Sequence, residues 1–330
     1  MALSRPRLAV ALLLLAAAGA RAGSFDWHLP RGFPTPAVPA DNPMSAAKVA
    51  LGRRLFFDTR LSATGRYSCA SCHDPARAYT DGRARAVGAT GARLAHGAMP
   101  LLNVAYNLSY GWQQPGVHTL EEQMRQPLYN RHPVEIGLAG RERAVSAALA
   151  ADPAYPGQFA AAFGGDPGID AVRIIKAIAS FERTLLAGHS PFDAYVFAGR
   201  HDALSAGAKR GMALFFSARL GCSGCHSGFN FSGNWRDSQG ATGPAAFADD
   251  GLGAGPMRVP TLRNIAVTAP YMHDGRFATL DAVLDHYQRV GHAPDAAHGG
   301  HRDPRLKAFT LGAGERADLK AFLESLTESG

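Results

Sequence analysis

Two copies of Cys-x-x-Cys-His constrain this chain more than any other feature: Cys69-Ala-Ser-Cys72-His73 and Cys222-Ser-Gly-Cys225-His226. The pattern is the attachment signature of c-type haem. Its two thiols add across the porphyrin vinyls as thioethers, and the adjacent His brings one axial nitrogen to iron. The chain has 4 Cys, and the two motifs use all of them. None is left for a disulfide or a thiol nucleophile. A four-thiolate zinc site needs no His after each pair, and here both pairs carry one. The motifs therefore imply two covalently bound haem c, with His73 and His226 as proximal ligands.

A degenerate repeat surrounds the motifs. Leu55-Phe56-Phe57-Asp58-Thr59-Arg60-Leu61 precedes the first, and Leu214-Phe215-Phe216-Ser217-Ala218-Arg219-Leu220 precedes the second. Each follows a stretch with helical character, from Ser45 to Phe56 and from Ser205 to Phe216, with the serines as N-caps. The expected fold is mainly α, built of two cytochrome c-like haem domains. In each, the cofactor replaces much of the core that a short helical chain lacks. The length of 330 residues suits two such domains. The division expected is 23–190 and 191–330, with the junction near Ser190-Pro191. Further helices are expected over Asp170 to Ala187, with Val172, Ile175, Ile178, Ala179 and Leu186 inward and Gly188 as the stop. Others run from Thr279 to Val290, with Leu280, Val283, Leu284 and Tyr287 inward, and from Ala317 to Leu326. Thr119-x-x-Glu122 is a capping-box signature. Strand patterns are sparse, and the Gly-rich segment from Ser227 to Gly255 reads as a long loop.

The N-terminus reads as a secretory signal, with Arg5 and Arg7, an apolar run from Leu8 to Ala18, and a small-x-small site at Ala20-Arg21-Ala22. Residues 1–22 are expected to be removed on export to the periplasm. No later segment is apolar enough to cross a membrane. The net charge of +7 is scattered, with no basic run that would suit nucleic acid. A weaker reading of that charge is attraction to an acidic protein.

Three stretches carry a resemblance: Leu51-Gly52-Arg53-Arg54-Leu55-Phe56-Phe57-Asp58, Ser68 through His73, and Leu262-Arg263-Asn264-Ile265-Ala266-Val267-Thr268-Ala269-Pro270-Tyr271-Met272-His273-Asp274-Gly275. They resemble the bacterial di-haem cytochrome c peroxidase and MauG superfamily over nearly the whole mature chain. Phe25 to Pro34 and Asp41-Asn42-Pro43-Met44 resemble the MauG-like branch encoded beside methanobactin, a copper-chelating peptide (the MbnH family). That branch oxidises a tryptophan of a copper-binding partner to kynurenine.

The resemblance implies roles position by position. MauG has a Tyr ligand on its second haem, seventeen residues after the Pro of a Thr-x-Pro turn. Pro270 sets that position at Tyr287, where peroxidase branches have Met. A Met ligand suits an electron-accepting cytochrome, while a tyrosinate stabilises high-valent iron. Iron also lowers the phenol pKa from about 10. His286, expected off the inward stripe, Met257 and Met272 are the other candidates, and a core tyrosine is the alternative role. Peroxidase branches often carry a blocking His at the first haem, and Ala89 stands at that place. His96 is the nearby substitute. Glu135 matches the distal glutamate that moves a proton between the peroxide oxygens. Gln123 and Pro127 match positions lining the same pocket. Trp112 matches the tryptophan that relays electrons between the haems, and Trp27 and Trp235 are weaker candidates for carrying oxidising equivalents outward. Thr268 and Pro270 match calcium ligands between the domains, while Gly97 stands where the family has an Asn.

The implied activity is peroxide-driven oxidation of a residue on a copper-associated protein, through a high-valent di-haem state. The alternative is a peroxidase that spends peroxide on electrons from a small cytochrome c or cupredoxin. A plain electron carrier or haem sensor is a third reading, and it predicts no reaction with peroxide.

Overall fold

The computed structural model describes residues 25–243, 246–248, 254–292 and 303–328. The expected signal segment lies outside these residues. Among them the chain is mainly helical. The helices are α1 (Ala46–Phe56), α2 (Leu120–Tyr129), α3 (Glu142–Ala150), α4 (Ala154–Ala162), α5 (Ala171–Glu182), α6 (Pro191–Val196), α7 (Ala206–Phe215), α8 (Leu280–His292) and α9 (Ala313–Glu324). The described sheet is one antiparallel pair, β1 (Phe247–Ala248) with β2 (Met257–Arg258).

Two apolar cores are present. In the first, Leu51, Leu55 and Phe56 of α1 pack with Ile174, Ile178 and Phe181 of α5. In the second, Phe215 of α7 packs with Leu319, Phe322 and Leu323 of α9, and with Phe231. The helix pairs are built alike. A Cβ on Gly52 would collide with the Ala177 carbonyl of α5, and a Cβ on Gly211 with the Asp318 carbonyl of α9. A bare backbone at both points lets each haem-motif helix lie directly on its partner. Ser45 and Ser205 cap α1 and α7, accepting from the amides of Lys48 (3.2 Å) and Ala208 (3.0 Å). The capping box forms, with Thr119 accepting from the Glu122 amide at 3.1 Å and Glu122 from the Thr119 amide at 3.2 Å.

Some expectations need correction. α5 stops at Glu182 rather than running to Ala187. The reason is Asn103, whose side chain accepts from the Ala187 amide (2.8 Å) and donates to its carbonyl (2.9 Å), while its own amide donates to Leu185 (2.7 Å). Those three bonds take the backbone groups that a longer helix would use. Val172, expected inward, is 51% exposed. α9 begins at Ala313, earlier than expected, and α8 ends at His292, later than expected. Part of the Gly-rich segment forms β1, and other parts lie outside the described residues.

The N-terminal stretch straps the two halves together. Phe33 is buried against Tyr106 (ring centroids 6.1 Å) and Phe229 (4.9 Å), with the Arg263 guanidinium 4.6 Å over its ring. Asn42 is fully buried and donates to Glu121 (2.6 Å) and to the Lys176 carbonyl (2.9 Å).

Candidate functional site

Each Cys-x-x-Cys-His forms a tight turn that presents its groups in the same way. Cys69–Ser71 and Cys222–Gly224 are single 3-10 turns, and the following His amide donates back to the first Cys carbonyl at 3.0 Å in both. His73 Nδ1 lies 2.9 Å from the Tyr79 carbonyl, and His226 Nδ1 lies 3.1 Å from the Phe231 carbonyl. A carbonyl only accepts, so each Nδ1 carries the proton and each Nε2 keeps a lone pair for a metal. The accepting residues, Tyr79 (φ 60°) and Phe231 (φ 46°), sit in the left-handed region, an uncommon backbone for bulky side chains. Burial holds both imidazoles below their ordinary pKa, which keeps them neutral and able to ligate. It also pushes the thiols of Cys72 and Cys222 up to about 11, and all four cysteines are unpaired by disulfides. Paired thiols, an oriented neutral imidazole and flanking apolar walls fit haem c at both turns.

Around the first turn, a loop closes on the residues expected to act on peroxide. The Ala89 amide donates to the Glu135 carbonyl at 2.6 Å, and Ala89 is 5% exposed. Cys72 Sγ lies 3.9 Å from the Val87 carbonyl, and Glu135 acts electrostatically on that thiol. Burial raises the Glu135 carboxyl above its ordinary value, partly offset by a 2.9 Å hydrogen bond from Asn130. Gln123 and Pro127 are half-buried on α2, one turn apart. The Pro127 carbonyl accepts from the Ile136 amide at 2.9 Å, next to Glu135. Glu182, which no motif singled out, is buried beside Cys69 with one carboxylate oxygen unpartnered among the described residues, and burial pushes it up to about 8.

Trp112 stands between the two halves. Its indole N–H donates to the Gly97 carbonyl at 3.2 Å, and its ring is 6.2 Å from His96 and 6.3 Å from His273. The two imidazoles meet Nδ1 to Nδ1 at 3.2 Å, so His96 is engaged with His273. A cavity of about 70 Å³ lies beside the indole, lined by Asp81, Gly97, Trp112, Thr268 and Pro270. Asp81 Oδ2 is buried without a hydrogen-bond partner among the described residues, and the motifs did not point to this residue. Among the described residues no group of three or more His, Cys, Asp or Glu could hold a metal ion.

Tyr287 is half-buried on α8, against the second core. Its neighbour His286, expected off the stripe, is 2% exposed and packs against Phe277 at 5.1 Å. Both face inward because they occupy adjacent edges of one wide apolar face. Met257 is buried in β2, and Met272 lines the cavity beside Trp112. Trp235 packs on Phe229 at 5.4 Å with its indole N–H buried and unpartnered, while Trp27 packs on Phe25 at 5.0 Å.

The family model described as di-haem cytochrome c peroxidase matches residues 46–202. The methylamine utilization protein MauG of Methylorubrum extorquens is 39% identical over 302 residues, covering 87% of this chain and 80% of that protein. Cytochrome-c peroxidase IdrP1 of Pseudomonas sp. (strain SCT) is 35% identical, covering 94% and 89%. A solved structure described as a MauG-like protein associated with microbial copper homeostasis superposes with a TM-score of 0.86 at 35% identity, covering 92% of this chain and 96% of that one.

Proposed function

Because this chain belongs to the di-haem cytochrome c peroxidase and MauG family, and is a peroxide-dependent di-haem oxidoreductase, we propose that it oxidises a residue on a partner protein. The residue is a tryptophan, converted to kynurenine, on a copper-associated protein of the periplasm. The likeness to a MauG-like protein associated with microbial copper homeostasis supports that class of partner. Among the described residues no helix is long and apolar enough to cross a membrane.

Cys69, Cys72 and His73 would hold one haem c, and Cys222, Cys225 and His226 the other, with Tyr287 as a further ligand of the second. The first domain spans 23–190 and the second 191–330. When bound, the haems supply reaction with peroxide and storage of two oxidising equivalents. Glu135 takes the proton from the near peroxide oxygen and returns it to the leaving one, and its raised pKa suits both acts. Gln123 and Pro127 line that pocket. Trp112 carries electrons between the two sites. Each peroxide reduced to water removes two electrons from the partner, so two peroxides supply the four-electron oxidation of tryptophan to N-formylkynurenine, and hydrolysis then releases formate to leave kynurenine. A calcium in the cavity beside Trp112 would be held by Thr268 and Pro270, with Asp81 offering a side-chain oxygen where Gly97 has none.

Ala89 carries the reading. A buried methyl stands where peroxidase branches have a blocking His, so peroxide entry needs no ligand to leave and no prior reduction.

The test is spin-state spectroscopy of the ferric holoprotein, wild type and Tyr287→Phe, before and after one equivalent of peroxide. One high-spin haem, and a peroxide-induced near-infrared charge-resonance band lost in the variant, are expected. Two low-spin haems, or a variant indistinguishable from wild type, would move the protein to the peroxidase or carrier class.

A further inference from the structure

Among the described residues three guanidinium groups are deeply buried: Arg183, Arg258 and Arg263. Arg183 is paired with Glu121 at 2.6 Å, and Arg263 with Asp193 at 2.9 Å. Arg258, 5% exposed in β2, has no carboxylate among the described residues. Its Nε donates to the Gly111 carbonyl at 3.1 Å, and its Nη2 lies 3.1 Å from Met99 Sδ, a weak acceptor. The remaining guanidinium N–H groups have no partner among the described residues. Burial without an anion pulls its pKa down to about 10, with Tyr110 the one titratable neighbour acting on it. An unpaired buried cation is costly, and native folds pair it.

The position of Arg258 narrows the choice of anion. It reaches Met99, whose backbone acts on His73, and it stands two residues before Pro260, whose backbone acts on His226. The cation thus lies between the two haem turns. Its backbone amide donates to the Trp112 carbonyl at 2.7 Å, so it also grips the segment that carries the indole. A haem brings its own carboxylates into the interior as propionates, and a guanidinium fork matches a carboxylate with two parallel hydrogen bonds.

We propose that Arg258 is the counter-cation of a haem propionate, and that its bonds to Gly111 and Trp112 fix the relay indole relative to that haem. The inference rests on the two-haem reading above. Arg258 is a positioning residue: it touches the cofactor's rim and acts on electron exchange through Trp112.

The experiment uses whole holoprotein as wild type, Arg258→Gln and Arg258→Lys. Haem content is measured by the pyridine haemochrome assay, reduction potentials by spectroelectrochemistry, and the propionate bending bands by resonance Raman. Losing a cation beside an ionised carboxylate favours ferric iron. Arg258→Gln is therefore expected to lower the potential of one haem while both stay attached. Arg258→Lys restores most of that potential but shifts the propionate band, because an ammonium cannot fork. Unmoved potentials and bands in variants holding both haems would overturn the proposal. Should Arg258→Gln fail to mature, an unmoved propionate band in Arg258→Lys alone overturns it. A wild-type protein holding fewer than two haems would instead overturn the two-haem reading.

Discussion

Glu135 shows how burial prepares a loop acid for the proton transfer proposed for it. Its Pro-Val-Glu-Ile-Gly setting says nothing about burial. In the fold, the peptide joining Glu135 to Ile136 is anchored at both its groups, its carbonyl by the Ala89 amide and its N–H on the Pro127 carbonyl, and the carboxyl is partly withdrawn from water. Withdrawal disfavours the charged form, so the folded pKa lies above the ordinary carboxylate value. The carboxylate is needed to accept the first proton. The rate of peroxide consumption is therefore expected to rise with pH through that raised pKa and level off above it. Glu135→Gln should cost about 10²- to 10⁴-fold and remove this rise. Stopped-flow mixing with peroxide over a pH series checks both, and a variant keeping the wild-type slope would assign the titration elsewhere. The two Cys-x-x-Cys-His turns were legible because the motif itself spells out the chemistry its groups can do. Asp81, Glu182 and Arg258 were not, since each matters only through burial or a missing partner, and neither leaves a mark on local sequence.

At the scale of elements, the repeat seen around the haem motifs extends further than sequence suggested. Gly52 and Gly211 stand at matching places on α1 and α7, each under a partner helix carbonyl. Asn103 (φ 60°) and Asn264 (φ 58°) likewise each open a 3-10 turn, Val104–Tyr106 and Ile265–Val267, from a left-handed conformation. Leu-x-Asn-x-Ala is the shared signal, but five residues are too few to separate from chance without the structure. Periodicity did locate α1, α7 and α8, because their apolar stripes are clean and their caps are Ser or Thr. It overran α5, whose end is set by Asn103, distant in sequence. Gly52→Ala and Gly211→Ala each insert a methyl where a backbone oxygen already lies. Both should destabilise by about 1–3 kcal/mol through forced helix separation. Denaturant unfolding of each holoprotein measures this. A loss of only a few tenths, or a gain from better helix propensity, would mean that the helices part freely.

Over the whole molecule, the two cores are joined by polar loops as well as by apolar surface. Residues 103–112 of the first half thread between segments of the second. Asn103 donates to Asn230 at 3.1 Å, the Arg236 amide donates to the Tyr106 carbonyl at 2.6 Å, and the Arg258 amide donates to Trp112. The densest contact is Asn234, fully buried. Its Oδ1 accepts from the Ser109 amide (3.1 Å) and hydroxyl (2.9 Å), and its Nδ2 donates to the Ser109 carbonyl (2.9 Å). Three hydrogen bonds between two buried residues, three positions from Trp112, hold the segment that carries the indole in register with the second half. Asn234→Ala removes all three and strands the Ser109 groups away from water, where each unmet group costs about 1–3 kcal/mol. The expected total is about 2–4 kcal/mol, because water entering the space left by the side chain recovers part of the loss. The damage should also be directional. Each core keeps its own helix pair, so the halves are expected to loosen from one another before either melts. Calorimetry of the variant should then show a broadened or split transition where wild type shows one. A single sharp transition, lowered but unsplit, would mean that the contacts left in the variant, the Phe33 strap and the bonds of Asn103, Arg236 and Arg258, still unite the halves.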